Sequence, residues 1–226
     1  MKDQVSIYQD YSCSYDLLDE HVSCYQELRD AHLDALLSSD QEGRILDFGC
    51  GTGNVTIPLL EAGREVVALD TSEDMLRFLK SKSEGLVGLT LFEENICDLS
   101  LGCLGERFSS ITMMNVLYHL GDPEKYLRKF YGLLSDDGRV FVSGPSRGID
   151  VDGLYERVKA DLSDGVFERY RNDFLSIYEA NKKLVASAAL YDGGSLKELC
   201  GGQGFLMESY DDSFYYGNNY FAVFRK

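Results

Sequence analysis

Strands alternating with helices along the first two thirds of the chain predict an α/β fold, a mostly parallel sheet covered by helices on both faces. Three observations carry this reading. Short apolar runs recur at residues 44–48, 65–70, 89–93, 108–115 and 139–143, as buried parallel strands do. Segments with helical periodicity and capping residues lie between most of them. The first run also leads directly into three closely spaced glycines, Gly49, Gly51 and Gly53.

Taken in order, residues 16–37 read as an amphipathic helix, with Leu18, Val22, Tyr25, Leu28, Leu33 and Leu36 near one face. Polar residues 38–43 end it. The strand at 44–48 is followed by a helix over 54–61, with Pro58 in its early part and Gly63 as its stop. After the second strand, 65–70, Thr71, Ser72, Glu73 and Asp74 supply caps and early carboxylates for a helix through Met75, Leu76 and Leu79. Strands at 89–93 and 108–115 follow. Asp122 as cap and Pro123 at the first helical position then start a helix running to about residue 134. Asp137-Gly138 turns into the strand at 139–143. Residues 150–190 are helical and charged, without a clear strand. The tail returns to strands at 205–210 and 220–224, joined by a loop short enough for an antiparallel hairpin.

The 226 residues suit one domain, 1–226, divided into an N-terminal helical cap (1–40), a core (44–145), a helical insertion (146–192) and C-terminal strands (193–226). No apolar run approaches the roughly 18 residues of a membrane span, and the N-terminus lacks a secretory pattern. No membrane association and a cytoplasmic location are therefore expected. A net charge of −16 disfavours nucleic acid, although solubility alone accounts for such acidity. Six cysteines form no C-x-x-C pair and the three histidines are scattered, so reduced, mostly buried thiols and no metal site are expected. The composition leaves the oligomeric state open.

The glycines carry the chemistry because of where they stand, after a strand and before a helix. Without a Cβ they let a ligand approach the main chain. About 20 residues on, the second strand ends in Asp70, where a carboxylate can accept hydrogen bonds from ribose hydroxyls. A dinucleotide fingerprint would read G-x-G-x-x-G, but here the spacing is G-x-G-x-G and Asn54 stands at the third position. Asp47, just before the turn, is a poor neighbour for a pyrophosphate and a good one for a cationic amino acid. An adenosyl sulfonium fits better than NAD.

The stretch Ile45-Leu46-Asp47-Phe48-Gly49-Cys50-Gly51-Thr52-Gly53 resembles the first motif of the class I S-adenosylmethionine-dependent methyltransferases. Asp70 with Ser72 and Met75 is similar to their second motif, Asn95-Ile96-Cys97-Asp98-Leu99 to their third, and Asn115 through Leu120 with Asp122-Pro123 to their fourth. The resemblance covers residues 44–145 and, loosely, the final hairpin. It implies a Rossmann-like, seven-stranded sheet with strand 7 antiparallel and a helical lid over the 44–145 cofactor-binding core. It implies S-adenosyl-L-methionine as cofactor, held by Asp47, Gly49, Cys50, Gly51, Asp70, Thr71, Met75, Asn95, Ile96 and Asn115. Asp47 would orient the methionine amino group, directly or through water. Many members of the family carry Asp where Asn95 stands.

The reaction implied is methylation of an oxygen or nitrogen acceptor on a small molecule, in keeping with a biosynthetic step. His119 is a candidate base, with Tyr118 as its substitute. Tyr8, Tyr11, Tyr15, Arg169, Tyr170, Tyr215 and Tyr216 are candidates for the acceptor pocket. Methylation of a peptide or protein side chain, a non-catalytic cofactor-binding or interaction module, and an NAD oxidoreductase are the competing readings.

Overall fold

The structure is a computed structural model that describes residues 14–38, 43–99, 104–105 and 107–226. The strands are β1 (Arg44–Phe48), β2 (Val66–Asp70), β3 (Leu89–Glu93), β4 (Phe108–Met114), β5 (Leu134–Pro145), β6 (Leu206–Ser213) and β7 (Asn219–Arg225). They form one seven-stranded sheet in the order β3-β2-β1-β4-β5-β7-β6, in which β7 pairs antiparallel with both neighbours and the other pairings are parallel. The strand order reverses between β1 and β4, the kind of switch point at which open α/β sheets bind ligands.

Among the described residues ten α-helical segments accompany the sheet, with a 3-10 turn at Leu117–His119: α1 (Asp16–His21), α2 (Ser23–Ser38), α3 (Thr56–Glu61), α4 (Glu73–Lys82), α5 (Pro123–Leu133), α6 (Val151–Asp161), α7 (Val166–Arg169), α8 (Arg171–Ser187), α9 (Gly193–Gly201) and the single turn α10 (Phe214–Gly217). The helix expected over 16–37 is broken at Val22, whose backbone is extended at φ −104 and ψ 105. Both halves keep their apolar residues on one side, so the periodicity hides the break. β5 starts earlier than expected: Leu134 pairs with Phe108, and the ladder resumes at Arg139 opposite Ser110 after an irregularity.

Successive residues of a strand face opposite sides of the sheet, and the two cores follow this alternation. Ile45, Val66 and Ala68 pack with Leu36 of α2, Leu59 of α3 and Leu79 of α4. Leu46, Val67 and Leu69 pack with Leu127 and Phe130 of α5 and Leu196 of α9. A third cluster lies outside the sheet, where Val22, Cys24 and Tyr25 of the cap meet Phe174, Ile177 and Ala180 of α8. The cap and the lid thus have a small core of their own.

Local chemistry sets the helix starts. Ser72 Oγ accepts from Met75 N, Asp122 from Lys125 N, and Asp150 from Gly153 N, while Asp192 and Ser195 form a reciprocal capping box. Each such cap contributes about 1 kcal/mol. His32 is fully buried, with Nδ1 at 2.8 Å from Thr112 Oγ1 and Nε2 at 2.9 Å from Ser143 Oγ, which pins α2 to the ends of β4 and β5. Burial pushes its pKa down to about 3, so this link is uncharged. The lid leaves and rejoins the scaffold at neighbouring points: Ser146 and Tyr191 form a parallel bridge, and Arg147 N donates to Tyr191 O at 3.0 Å.

Of the six cysteines, Cys13 and Cys103 lie outside the described residues; Cys24, Cys50 and Cys200 are free and buried, and Cys97 is free and half-buried. Among the described residues no helix is long and apolar enough to cross a membrane, and no group of three His, Cys, Asp or Glu side chains is placed to hold a metal ion.

Candidate active site

β1 ends at the switch point, and the chain turns through Gly49, Cys50 and Gly51 with Gly49 N and Cys50 N both donating to Leu69 O. Gly49 and Gly51 both have positive φ, +74 and +54, but for different reasons. A Cβ on Gly49 would lie 2.5 Å from Val116 Cγ2, so this glycine allows close packing of the loop on the next turn. Around Gly51 a Cβ would meet nothing within 4 Å. Its bare α-carbon faces a cavity. Asp70, at the tip of β2, ties the loop down: Oδ2 accepts from Gly51 N at 2.9 Å and Oδ1 from Ser72 N at 2.9 Å. Burial raises the Asp70 pKa against the pull of these backbone donors.

The cavity at this point has a volume of about 370 Å³, within the roughly 300–1,000 Å³ typical of small-molecule sites. Among the residues expected to hold a cofactor, Gly49, Gly51, Asp70, Thr71, Met75, Asn95 and Asn115 line it, and Tyr15 and His119 join them. The apolar part of the wall, including Phe48, Leu69, Met114, Val116 and Leu120, was not anticipated. These residues look like core in the sequence, and here the core surface is the wall.

Three expected contacts do not reach the cavity. Asp47 is 2% exposed and its Oδ2 accepts from Thr56 Oγ1 at 2.6 Å, so it stands behind the loop. Burial pushes its pKa up to about 7; the Thr56 hydrogen bond opposes the rise and the Asp70 charge adds to it. Cys50 turns into the core beside β1, and Ile96 is fully buried against the opposite face of the sheet. Asn95 lines the cavity, but its carboxamide is engaged at both ends, Nδ2 donating to Tyr126 Oη at 2.7 Å and Oδ1 accepting from Cys97 N at 2.9 Å.

The cap is tethered over the loop. Asp16 accepts from Thr52 Oγ1 at 2.5 Å and pairs with Lys82 at 3.0 Å, and Asn54 Nδ2 donates to Tyr25 Oη at 3.1 Å. Beneath the cap and lid lies a second cavity of about 130 Å³. Of the acceptor-pocket candidates Tyr15 and Tyr215 line it, as does Tyr118, the substitute base, together with Phe174, Ile177, Tyr178, Asn181 and Val185 from one face of α8. That stripe recurs at helical spacing and reads as core in the sequence.

The other acceptor-pocket candidates lie elsewhere. Arg169 is exposed, with its guanidinium 5.0 Å from the Tyr170 ring, and Tyr170 stacks on His21 at 5.5 Å. Both precede the first turn of α8, whose inward face begins only at Phe174. Tyr216 points outward to a hydrogen bond with Asp161. Tyr8 and Tyr11 lie outside the described residues.

Tyr15 and Asn115 line both cavities and mark the seam between them. Asn115 has φ +58, uncommon for a residue with a side chain. Its N–H donates to Ser143 O at 3.1 Å and Oγ at 3.3 Å, and its Oδ1 accepts from Asn219 Nδ2 at 2.9 Å. His119 and Tyr118 fall on different sides: His119 on the first cavity, Tyr118 on the second, with ring centroids 3.7 Å apart. Burial pushes the His119 pKa down to about 4. At neutral pH it is a neutral imidazole, on the loop side of the seam.

The chain matches, over residues 18–210, a family model described as a methyltransferase domain. It is 29% identical over 141 residues to an uncharacterised methyltransferase of Oceanobacillus iheyensis, covering 60% of this chain and 64% of that protein. It is 34% identical over 104 residues to the ubiquinone biosynthesis O-methyltransferase of Cereibacter sphaeroides, covering 46% of this chain and 42% of that protein. The chain thus spans less than two thirds of the length of either relative. In structure it is similar to the 1,6-didemethyltoxoflavin N1-methyltransferase of Burkholderia thailandensis, with a TM-score of 0.68 at 19% identity over 99% of this chain and 86% of that one. The magnesium protoporphyrin IX methyltransferase of Synechocystis gives a TM-score of 0.62 at 17% identity over 90% and 80%. With its sheet order, its glycine loop tied to the acid that ends β2, and this family match, the chain belongs to the class I S-adenosylmethionine-dependent methyltransferases.

Proposed function

We propose that this chain transfers a methyl group from S-adenosylmethionine to an oxygen or nitrogen atom of a small molecule. The observation that supports this most is the pair of cavities meeting at Tyr15 and Asn115, one walled by the glycine loop and Asp70, the other roofed by cap and lid. The residues of the first fit the cofactor: Gly51 leaves main chain bare to the cavity, and Asp70 stands at the wall as an acceptor for hydroxyls. When bound, the cofactor supplies an electrophilic methyl group. The chain's own part is to hold two reactants in fixed relation and exclude water, which by itself lowers a barrier by several kcal/mol. His119, uncharged and on the cofactor side, serves in this reading as a wall of the adenosyl cavity. The roofed, small second cavity favours a small acceptor over a peptide strand.

Calorimetry tests the reading. S-adenosylmethionine and S-adenosylhomocysteine are expected to bind and NAD is not, and a ligand at 100 times its Kd raises stability by about 2.7 kcal/mol. NAD binding without adenosyl ligand binding would overturn it. A screen of metabolites with methyl-labelled cofactor then identifies the acceptor. Asp70→Ala is expected to lose about 1.5–3 kcal/mol of S-adenosylhomocysteine binding, the range for hydrogen bonds to a charged acceptor. Unchanged affinity would reduce Asp70 to a clamp for the loop.

A further inference from the structure

The second cavity has a chemistry of its own. Among the described residues its lining includes no Asp, Glu, Lys, Arg or His; the Asp152–Lys182 pair that holds the Tyr178 hydroxyl stands outside it. A charged group placed there would lose its hydration and meet no countercharge among the described lining residues. The walls are aromatic and aliphatic, with the Tyr155 and Tyr178 rings 4.3 Å apart on the lid side and Phe174 and Ile177 below them. The volume, about 130 Å³, is close to the roughly 150 Å³ of an apolar cavity that accepts benzene. It seats one six-membered ring.

The polar side chains at the seam include a donor from Asn115. With Asn115 Oδ1 occupied by Asn219, the side chain presents its Nδ2, which hydrogen-bonds the Tyr215 hydroxyl. Tyr25 donates to the Tyr15 oxygen. Both Tyr15 and Tyr215 stay protonated, because burial raises them, Tyr15 to about 12. A ring substituent at the seam therefore meets the Asn115 N–H, a donor that suits an oxygen gaining negative charge better than an amine.

We propose that the second cavity binds an uncharged, single-ring phenol, with its ring between the α6 and α8 side chains and its oxygen at the Asn115–Tyr15 seam. This rests on the methyltransferase reading, for which the phenol is the acceptor: its oxygen bonds the methyl carbon as the carbon–sulfur bond breaks, S-adenosylhomocysteine leaves, and the phenolic proton goes to solvent.

The test uses the full chain loaded with S-adenosylhomocysteine, titrated with phenol, benzoate and benzylamine by ligand-observed NMR. Phenol is expected to bind at least tenfold tighter than either charged ring. Ile177→Trp, which fills the cavity from α8, is expected to weaken phenol at least tenfold and leave S-adenosylhomocysteine within twofold. Val185→Phe, at a half-buried position on the same face, gives the same comparison where the Trp variant does not fold. Benzoate or benzylamine binding as tightly as phenol, or phenol binding untouched by filling, would overturn the proposal. Failure of S-adenosylhomocysteine to bind the unmodified chain would instead overturn the methyltransferase reading. The panel repeated without that ligand then still decides what the cavity takes.

Discussion

A Gly51→Val variant is expected to fold and to lose S-adenosylhomocysteine binding by at least a hundredfold. A Cβ at Gly51 meets no protein atom within 4 Å, so the fold offers no steric objection to it. The cost to the free protein is conformational: φ is +54, where a residue with a side chain is disfavoured by about 1–2 kcal/mol. The damage falls on the ligand, because the isopropyl group projects into the space that the bare α-carbon leaves. A hundredfold loss corresponds to about 2.8 kcal/mol. Gly49→Val is the contrasting case: its Cβ would press on Val116 Cγ2 at 2.5 Å, so that variant should lose stability first. Calorimetry with circular dichroism on both separates the two roles. A Gly51→Val protein that binds within tenfold of the unmodified one would show that the ligand does not approach this loop.

The second large effect concerns Asp47, whose carboxyl is buried behind the loop with a pKa raised to about 7. In the unfolded chain an aspartate titrates near 3.9. Between these values the folded state holds a proton that the unfolded state has lost, so stability falls as pH rises from about 4 to about 7 and then levels off. Asp47→Asn keeps an oxygen for the Thr56 hydroxyl and removes the charge. At pH 8 the variant is therefore expected to be more stable, with about 4 kcal/mol as the upper limit set by 1.36 kcal/mol per pH unit. Asp47 does not reach the cavity, but its charge lies within Coulomb range of Asp70 at the cavity wall, so binding of the cationic S-adenosylmethionine should weaken in the variant. The unmodified protein should also bind this ligand less well as pH drops below about 7 and Asp47 takes up its proton. Urea unfolding of both proteins from pH 5 to 8.5 is the check. A stability advantage for the variant that shrinks with rising pH would refute the assignment. Stability given up for binding is a common compromise at sites of this kind.

Much of the first cavity is legible in the sequence because its polar parts are local. Gly49, Gly51 and Asp70 sit at strand ends, and β1 and β2 bring those ends together whatever packs around them. Asp47 shows the limit of such reading. Its place near the end of β1 follows from the strand, but Thr56, nine residues on and at the start of α3, holds the carboxylate behind the loop. The second cavity is harder to see. Its walls come from α1, α2, the turn after β4, α6, α8 and Tyr215, and an apolar stripe such as Phe174, Ile177 and Val185 has the same period whether it faces core or cavity. Asn115 and Tyr215 were visible as residues, but their left-handed backbones and the partnership with Asn219 depend on β7 returning beside β5.

The Ser146–Tyr191 bridge has a consequence for how such a protein changes over generations. The segment between those residues is closed at its base, so its length and sequence can drift without altering the distance the scaffold must span. Lengthening a loop whose ends are already joined adds only about 0.6 kcal/mol per doubling. The α6 and α8 walls of the second cavity thereby belong to a segment whose length is independent of the sheet it rests on.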